Sequence, residues 1–171
     1  MTDQRAQWPS DHLIISKTDL KGKITYANRL FMQVSEMHEG QLLGKPHSVI
    51  RHPDMPRGVF RYMWQTLQKG EEFFGLVKNK TYTGKYYWVL ANVTPNVNVQ
   101  TGKINGYFSV RRQINESVEE VIANIYQEMK KIESAGTNQS IDDAVAYLMA
   151  ECSKAGGYRD FVIGIAGVRF K

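Results

Sequence analysis

The sequence holds a single cysteine, Cys152. One thiol allows neither an intramolecular disulfide nor a multi-cysteine metal site, and a reducing compartment suits such a chain. No apolar run is long enough to cross a bilayer, and the first eleven residues mix charges and amides with none of the apolar stretch of a secretory leader. A soluble, cytoplasmic chain is the expectation. Groupings that would carry catalysis are missing as well: no serine, histidine and acid set and no close carboxylate pair stands out, and Cys152 lies in the tail. Gly156-Gly157 lacks a strand before it and a helix after it, the context a phosphate-cradling loop needs. Among His12, His38, His47 and His52 no two stand four apart on a helical stretch, so a two-histidine metal site is not expected. These absences point away from an enzyme.

What is present is a chain of 171 residues, 42% hydrophobic and 23% charged, enough for one sizeable core plus an appendage. Its net charge of +5 is unevenly spread: Met1 to Gln113 carries 16 Lys and Arg against 8 Asp and Glu, and Ile114 to Lys171 carries 6 against 9. A basic domain suits nucleic acid, an acidic lipid surface, or one anionic cofactor held inside. The positive residues are scattered singly with no run of five, which argues against a nucleic-acid surface.

The residue pattern gives an order of elements. His12 to Ser16 and Lys23 to Ala27 read as two short strands around the turn signal Asp19-Leu20-Lys21-Gly22. Asn28 precedes Leu30, Phe31 and Val34, the spacing of a short helix with Asn28 near its start. Gly44-Lys45-Pro46 closes the next short element. Phe60, Met63, Trp64 and Leu67 share one face of a longer helix that Gly70 stops. Phe74 to Tyr82, Lys85 to Pro95 and Ile104 to Arg112 read as three longer strands, with Thr83-Gly84 turning the first into the second. This order predicts an α+β domain, a five-stranded antiparallel sheet with short helices on one face. Beyond it, Val118, Ile122, Ile125, Met129 and Ile132 step by four and three, which fits either a seam for a partner helix or an amphipathic helix docked on its own sheet. Gly136 to Gln139 breaks that helix. Ser140 with Asp142 and Asp143 signals another, through about Cys152, and Phe161 to Val168 is apolar but interrupted by glycine. The expected divisions are an N-terminal segment 1–11, a main domain 12–113 and a helical extension 114–171.

Several segments carry a resemblance: Thr18 to Asn28, Leu42 to His47, Arg51-His52-Pro53-Asp54-Met55-Pro56, Gly75-Leu76-Val77-Lys78-Asn79, Tyr87-Trp88-Val89 and Ala91 to Pro95. Together they resemble the PAS domains of bacterial aerotaxis receptors over about His12 to Arg112. The first two are common to many PAS domains; the Arg-His-Pro-Asp-Met-Pro stretch with Gly-Leu-Val-Lys-Asn is more specific. The resemblance implies a PAS fold and a redox sensor for energy taxis that binds FAD non-covalently and passes the flavin's state to a chemotaxis partner or an output domain. Haem, held by His38, His47 or His52, is the rival cofactor. A ligand-free dimerisation module is the other alternative.

The implied cofactor residues are Asn28, Arg51, His52, Asp54, Trp64, Phe74 and Asn79. Arg51 suits phosphate oxygens, and His52 and Asp54 suit ribose, adenine or each other, on a loop that two prolines stiffen. Asn28 either caps its helix or turns its amide inward. Asn79 alternates with apolar neighbours in a strand, where the imide edge of a flavin would satisfy its amide. Trp64 is core or flavin contact, and of the neighbours Tyr87 and Trp88 at most one looks inward. Phe73-Phe74-Gly75 stands where the family has Trp-Thr-Gly, and Ser35-Glu36 where many PAS domains have Ser-Gly; Phe74 keeps an aromatic wall without the indole donor. The 118–132 seam is the candidate surface for a homodimer.

Overall fold

The computed structural model describes residues 1–167. The two N-terminal apolar runs form β1 (Ile14–Thr18) and β2 (Ile24–Ala27). Asp19 Oδ1 shapes the turn between them by accepting from the backbone N–H groups of Lys21 and Lys23 at 2.8 and 2.9 Å. Next come α1 (Arg29–Ser35), α2 (Glu39–Leu42), a 3-10 turn over His47–Ile50, and α3 (Arg57–Gln68). The longer strands β3 (Phe73–Lys80), β4 (Tyr86–Val97) and β5 (Ile104–Gln113) follow. All pairings are antiparallel, in the order β2-β1-β5-β4-β3, so the α+β expectation holds. Glu36, where the family pattern has glycine, does adopt a left-handed φ of 57° at the end of α1. The strain of that conformation is offset by Lys85 Nζ at 2.7 Å and the Thr83 N–H at 3.1 Å on its carboxylate.

Strand alternation sorts the side chains into two faces. Ser16 lies opposite Ser109, Ala91 opposite Arg111 and Asn79 opposite Tyr87, so these residues share the inner face, under α1 and α3. Leu76, paired with Leu90, and Lys78, paired with Trp88, belong to the outer face. Tyr87 and Trp88 therefore split as alternation requires, yet both are buried: Tyr87 meets Trp8 edge-on on one side, and Trp88 stacks on Tyr126 on the other. The N-terminal segment is thus part of the core, held by Ala6 N–H to Tyr86 O and Tyr86 N–H to Gln4 O.

The outer face is covered by the chain itself. The C-terminal extension forms α4 (Glu116–Ile132), a 3-10 turn over Glu133–Ala135, α5 (Asn138–Ser153) and α6 (Tyr158–Ile165). Val118, Ile122 and Met129 of the predicted seam are buried and belong to the same apolar cluster as Leu76, Trp88 and Leu90. Tyr126 adds a buried hydrogen bond from its hydroxyl to Leu76 O at 2.7 Å. Of the predicted seam, Val118, Ile122 and Met129 thus pack on the chain's own sheet, as the docked-helix alternative has it, while Ile125 and Ile132 are partly buried. The α5 start differs from expectation. Thr137 is the cap, exchanging hydrogen bonds with Ser140, which sits inside the first turn. Val168 lies outside the described residues. Among the described residues no helix is long and apolar enough to cross a membrane.

Candidate functional site

A cavity of about 240 Å³ lies between the inner face of the sheet, α3 and the β1–β2 turn. Its apolar wall is the predicted face of α3, where Phe60, Met63, Trp64 and Leu67 repeat at three and four. The space exists because small residues stand opposite: Ala91 on β4 and Gly22 in the turn. Gly22 has φ 74°, and a Cβ there would sit 3.3 Å from the Trp64 ring, so the turn closes over Trp64 only as glycine.

The polar groups in this wall are cationic or neutral; among the described residues no Asp or Glu lines it. Arg111 is 2% exposed. Its Nη2 donates to Ser16 Oγ at 2.6 Å and its guanidinium lies 4.3 Å from the centre of the Phe31 ring. Nε and Nη1 are buried without a partner among the described residues. Burial lowers the Arg111 pKa from 12.5 to about 10. His47 Nε2 lies 3.2 Å from the same Ser16 hydroxyl. Burial first, then the charge of Arg111, pushes His47 down to about 3. The imidazole is therefore neutral at pH 7; Ser16 accepts from Arg111, and the His47 tautomer sets the direction of its bond with Nε2. The Arg51 guanidinium carbon lies over the Phe60 ring, 3.6 Å from its centre, with Nε buried and unpartnered among the described residues. Burial, then the charge of Arg57, lowers its pKa. Asn79 is 4% exposed, lines the cavity, and its amide makes no hydrogen bond within the described chain.

Of the seven residues expected at the cofactor, Arg51, Trp64 and Asn79 line this cavity. The other four are placed elsewhere, each for a physical reason. Asn28 is consumed as a cap: Oδ1 accepts from Ile15 N–H at 3.1 Å and Phe31 N–H at 3.0 Å, and Nδ2 donates to Leu13 O at 2.9 Å. His52 and Asp54 lash their loop to the free edge of β3. His52 N–H donates to Lys78 O, His52 Nδ1 accepts from Asp54 N–H at 3.1 Å, and Lys78 Nζ meets Asp54 Oδ2 at 2.6 Å. Phe74 alternates with Gly75 and Asn79, so it faces away from the cavity, with the Arg159 guanidinium 5.1 Å from its ring centre. Arg111 and Ser16 were missed, and His47 was considered only as a haem ligand. The available signal was alternation: Tyr107, Ser109 and Arg111 share a parity, and all three line the cavity.

The chemistry of this set is recognition. Two guanidiniums without a counter-charge, an unsatisfied amide and a flat aromatic wall favour a planar ligand that is rich in acceptors and carries negative charge. The buried donors left without partners at Arg111 and Arg51 fit a flavin with its phosphates. The cavity contains no thiol, since Cys152 is buried in α5 and burial raises it to about 11. A bond from cysteine to a ligand is therefore not available there.

Comparison with known proteins agrees with this fold. The family model described as PAS fold matches residues 24–111. The aerotaxis receptor of Escherichia coli K12 is 41% identical over 141 residues, 82% of this chain and 27% of the receptor, so the chain spans about a quarter of that relative. A nitrogen fixation regulatory protein of Klebsiella pneumoniae is 33% identical over 60% of this chain and 21% of its own length. Among solved structures, the light state of the blue-light photoreceptor Aureochrome1 LOV superposes with a TM-score of 0.59 at 21% identity, covering 65% of this chain and 88% of that one. A Light-Oxygen-Voltage domain structure from work with a flavin analogue gives 0.60 at 15% identity, over 68% and 88%. At such identities the two structures speak for the fold alone. The family match over the sheet domain, together with the similarity to the receptor across most of the chain, establishes that this chain belongs to the PAS fold family and carries a PAS domain of the aerotaxis-receptor type.

Proposed function

We propose that this PAS domain binds FAD non-covalently in the inner cavity and passes the flavin's redox state to a signalling partner or output domain. The observation that carries the reading is Arg111: a buried guanidinium with two unpartnered donors in a cavity free of carboxylates. Such a group is costly in an empty site and favourable beside an acceptor-rich, anionic ligand. FAD, when bound, supplies a flat ring whose charge and protonation change on reduction. Asn79 would offer its free amide to the edge of that ring, and Trp64 and Phe60 would wall it. Arg51, over the Phe60 ring, would meet the phosphates. At about 240 Å³ the enclosed space suits a tricyclic ring, with the rest of a dinucleotide reaching toward the mouth, where Lys21 stands. His47 speaks against the haem alternative, because its Nε2 is already engaged by Ser16.

A change at Asn79 has a short path outward. Three residues along β3, Leu76 O accepts the Tyr126 hydroxyl of α4, so a shift of β3 is felt by the C-terminal extension. The test is the colour of the purified protein. Oxidised-flavin bands in the near ultraviolet and blue that bleach on reduction, with FAD released on denaturation, are expected. A haem Soret band, or a colourless protein that takes up no added FAD, would overturn the reading.

A further inference from the structure

Helix α3, which forms the cavity's apolar wall, begins without a cap of its own. Its preceding residue is Pro56, which has no side-chain acceptor, and no acidic residue stands in its first turn. Free N–H groups at a helix start require acceptors. Here they come from residue 133. Glu133 Oε2 accepts from Arg57 N–H at 2.8 Å and Oε1 from Gly58 N–H at 2.7 Å, across 76 and 75 residues of chain. Gly58 permits the approach: a Cβ there would lie 3.1 Å from Met129 Cε and 3.2 Å from both Glu133 Oε1 and Val145 Cγ2. Three further contacts tie the same region down. Lys130 Nζ donates to Pro53 O at 2.6 Å, and Arg61 reaches the Asp142 carboxylate at 2.5 Å and Asn138 Oδ1 at 2.9 Å. Within one turn of the capped end stands Phe60, the platform for Arg51.

We infer that Glu133 is a positioning residue of the cavity: it fixes the start of α3 and, through Phe60, the guanidinium of Arg51, so the binding site depends on a segment beyond the sheet domain. The ordering of α3 is independent of what the cavity holds; the effect on ligand retention rests on the flavin reading above. The local sequence leaves α3 open, and the carboxylate both satisfies two donors and sits at the positive end of the helix.

The experiment compares the whole chain with Glu133→Ala, Glu133→Gln and Arg5→Ala. Arg5 pairs with Glu119 at 2.7 Å and Glu116 at 3.0 Å, at the opposite end of α4, so it loosens the extension without touching α3. Amide exchange is followed by mass spectrometry in ligand-free protein, and FAD affinity by equilibrium dialysis. Glu133→Ala should speed exchange over Arg57–Leu67 on the order of tenfold and weaken FAD by a similar factor. Glu133→Gln keeps an acceptor and should fall between, and it decides the matter if the alanine variant does not fold. Arg5→Ala should leave α3 and FAD affinity at wild-type values. Unchanged α3 exchange in both Glu133 variants, or equal loosening by Arg5→Ala, would overturn the assignment. If no form of the protein binds FAD, the flavin reading falls while the exchange data still decide the role of Glu133.

Discussion

Replacing Arg111 by Met should make the ligand-free protein more stable and the binding site weaker. The depression of its pKa from 12.5 to about 10 corresponds to roughly 3 kcal/mol lost by holding the charge in the folded protein at pH 7. The sign follows from the direction: a cation whose folded pKa is lowered destabilises the fold at every pH at which it stays protonated. Against this stand the hydrogen bond to Ser16 and the contact with Phe31, about 1 kcal/mol each. Methionine keeps most of the length and the packing over Phe31. The net expectation is a gain of about 1 kcal/mol, read as a higher urea midpoint at unchanged slope in ligand-free protein. FAD affinity, measured by dialysis on the same samples, should fall by one to two orders of magnitude, since a charge-assisted hydrogen bond is worth roughly 1.5–3 kcal/mol. A variant that loses 1 kcal/mol or more while binding FAD as tightly as wild type would show that Arg111 is a structural group, and would remove the central support for an anionic ligand.

Further expectations concern the same cavity. Arg51→Ala should come through purification pale, with FAD weakened by one to two orders of magnitude; full occupancy after extensive dialysis would contradict its place at the phosphates. Because His47 is held at about 3 in the fold, while the unfolded chain takes up a proton near pH 6.5, stability is complete above pH 6.5 and falls by up to about 1.4 kcal/mol per pH unit toward pH 3. His47→Asn should therefore lose about 2 kcal/mol less than wild type between pH 6.5 and 5 in urea titrations; parallel losses would refute it. Asn79→Ala should retain some flavin but abolish the difference in amide exchange of α4 between oxidised and reduced protein; a preserved difference would mean the signal leaves by another route.

The fold was legible because its signals are local. Alternation marks β3 to β5, the turn at Thr83-Gly84 separates two of them, and the repeat of Phe60, Met63, Trp64 and Leu67 identifies the face of α3 that lines the cavity. Asn28 was legible as a cap for the same reason: its hydrogen bonds go to Leu13, Ile15 and Phe31, close by in sequence. His52 and Asp54 stand next to Arg51 in sequence, yet a loop bridged to β3 at Arg51 and Asn79 sends successive side chains in different directions. Arg111 was hidden for the opposite reason. Arg111 and Arg112 are chemically alike, and only the register of β5 against β1 and β4 puts one of them inside. Glu133 was hidden by distance: nothing near Arg57 in sequence indicates which residue completes α3.

These two unread residues explain one another physically. A cavity that keeps buried guanidinium donors unpartnered among the described residues subtracts from the stability of a small sheet domain, and its wall helix has no capping side chain of its own. The extension offsets that cost. Ile122, Met129, Leu148 and Val162 are 0% exposed, and each such side chain contributes up to about 1.5–3 kcal/mol relative to an exposed one. The same extension carries Glu133 to α3 and Tyr126 to β3. An element that both stabilises the binding domain and touches two walls of its cavity is placed to register any change in how the cavity is filled. A PAS domain whose outer face was bare would have to find that apolar cover in a partner; this one finds it in its own helix α4.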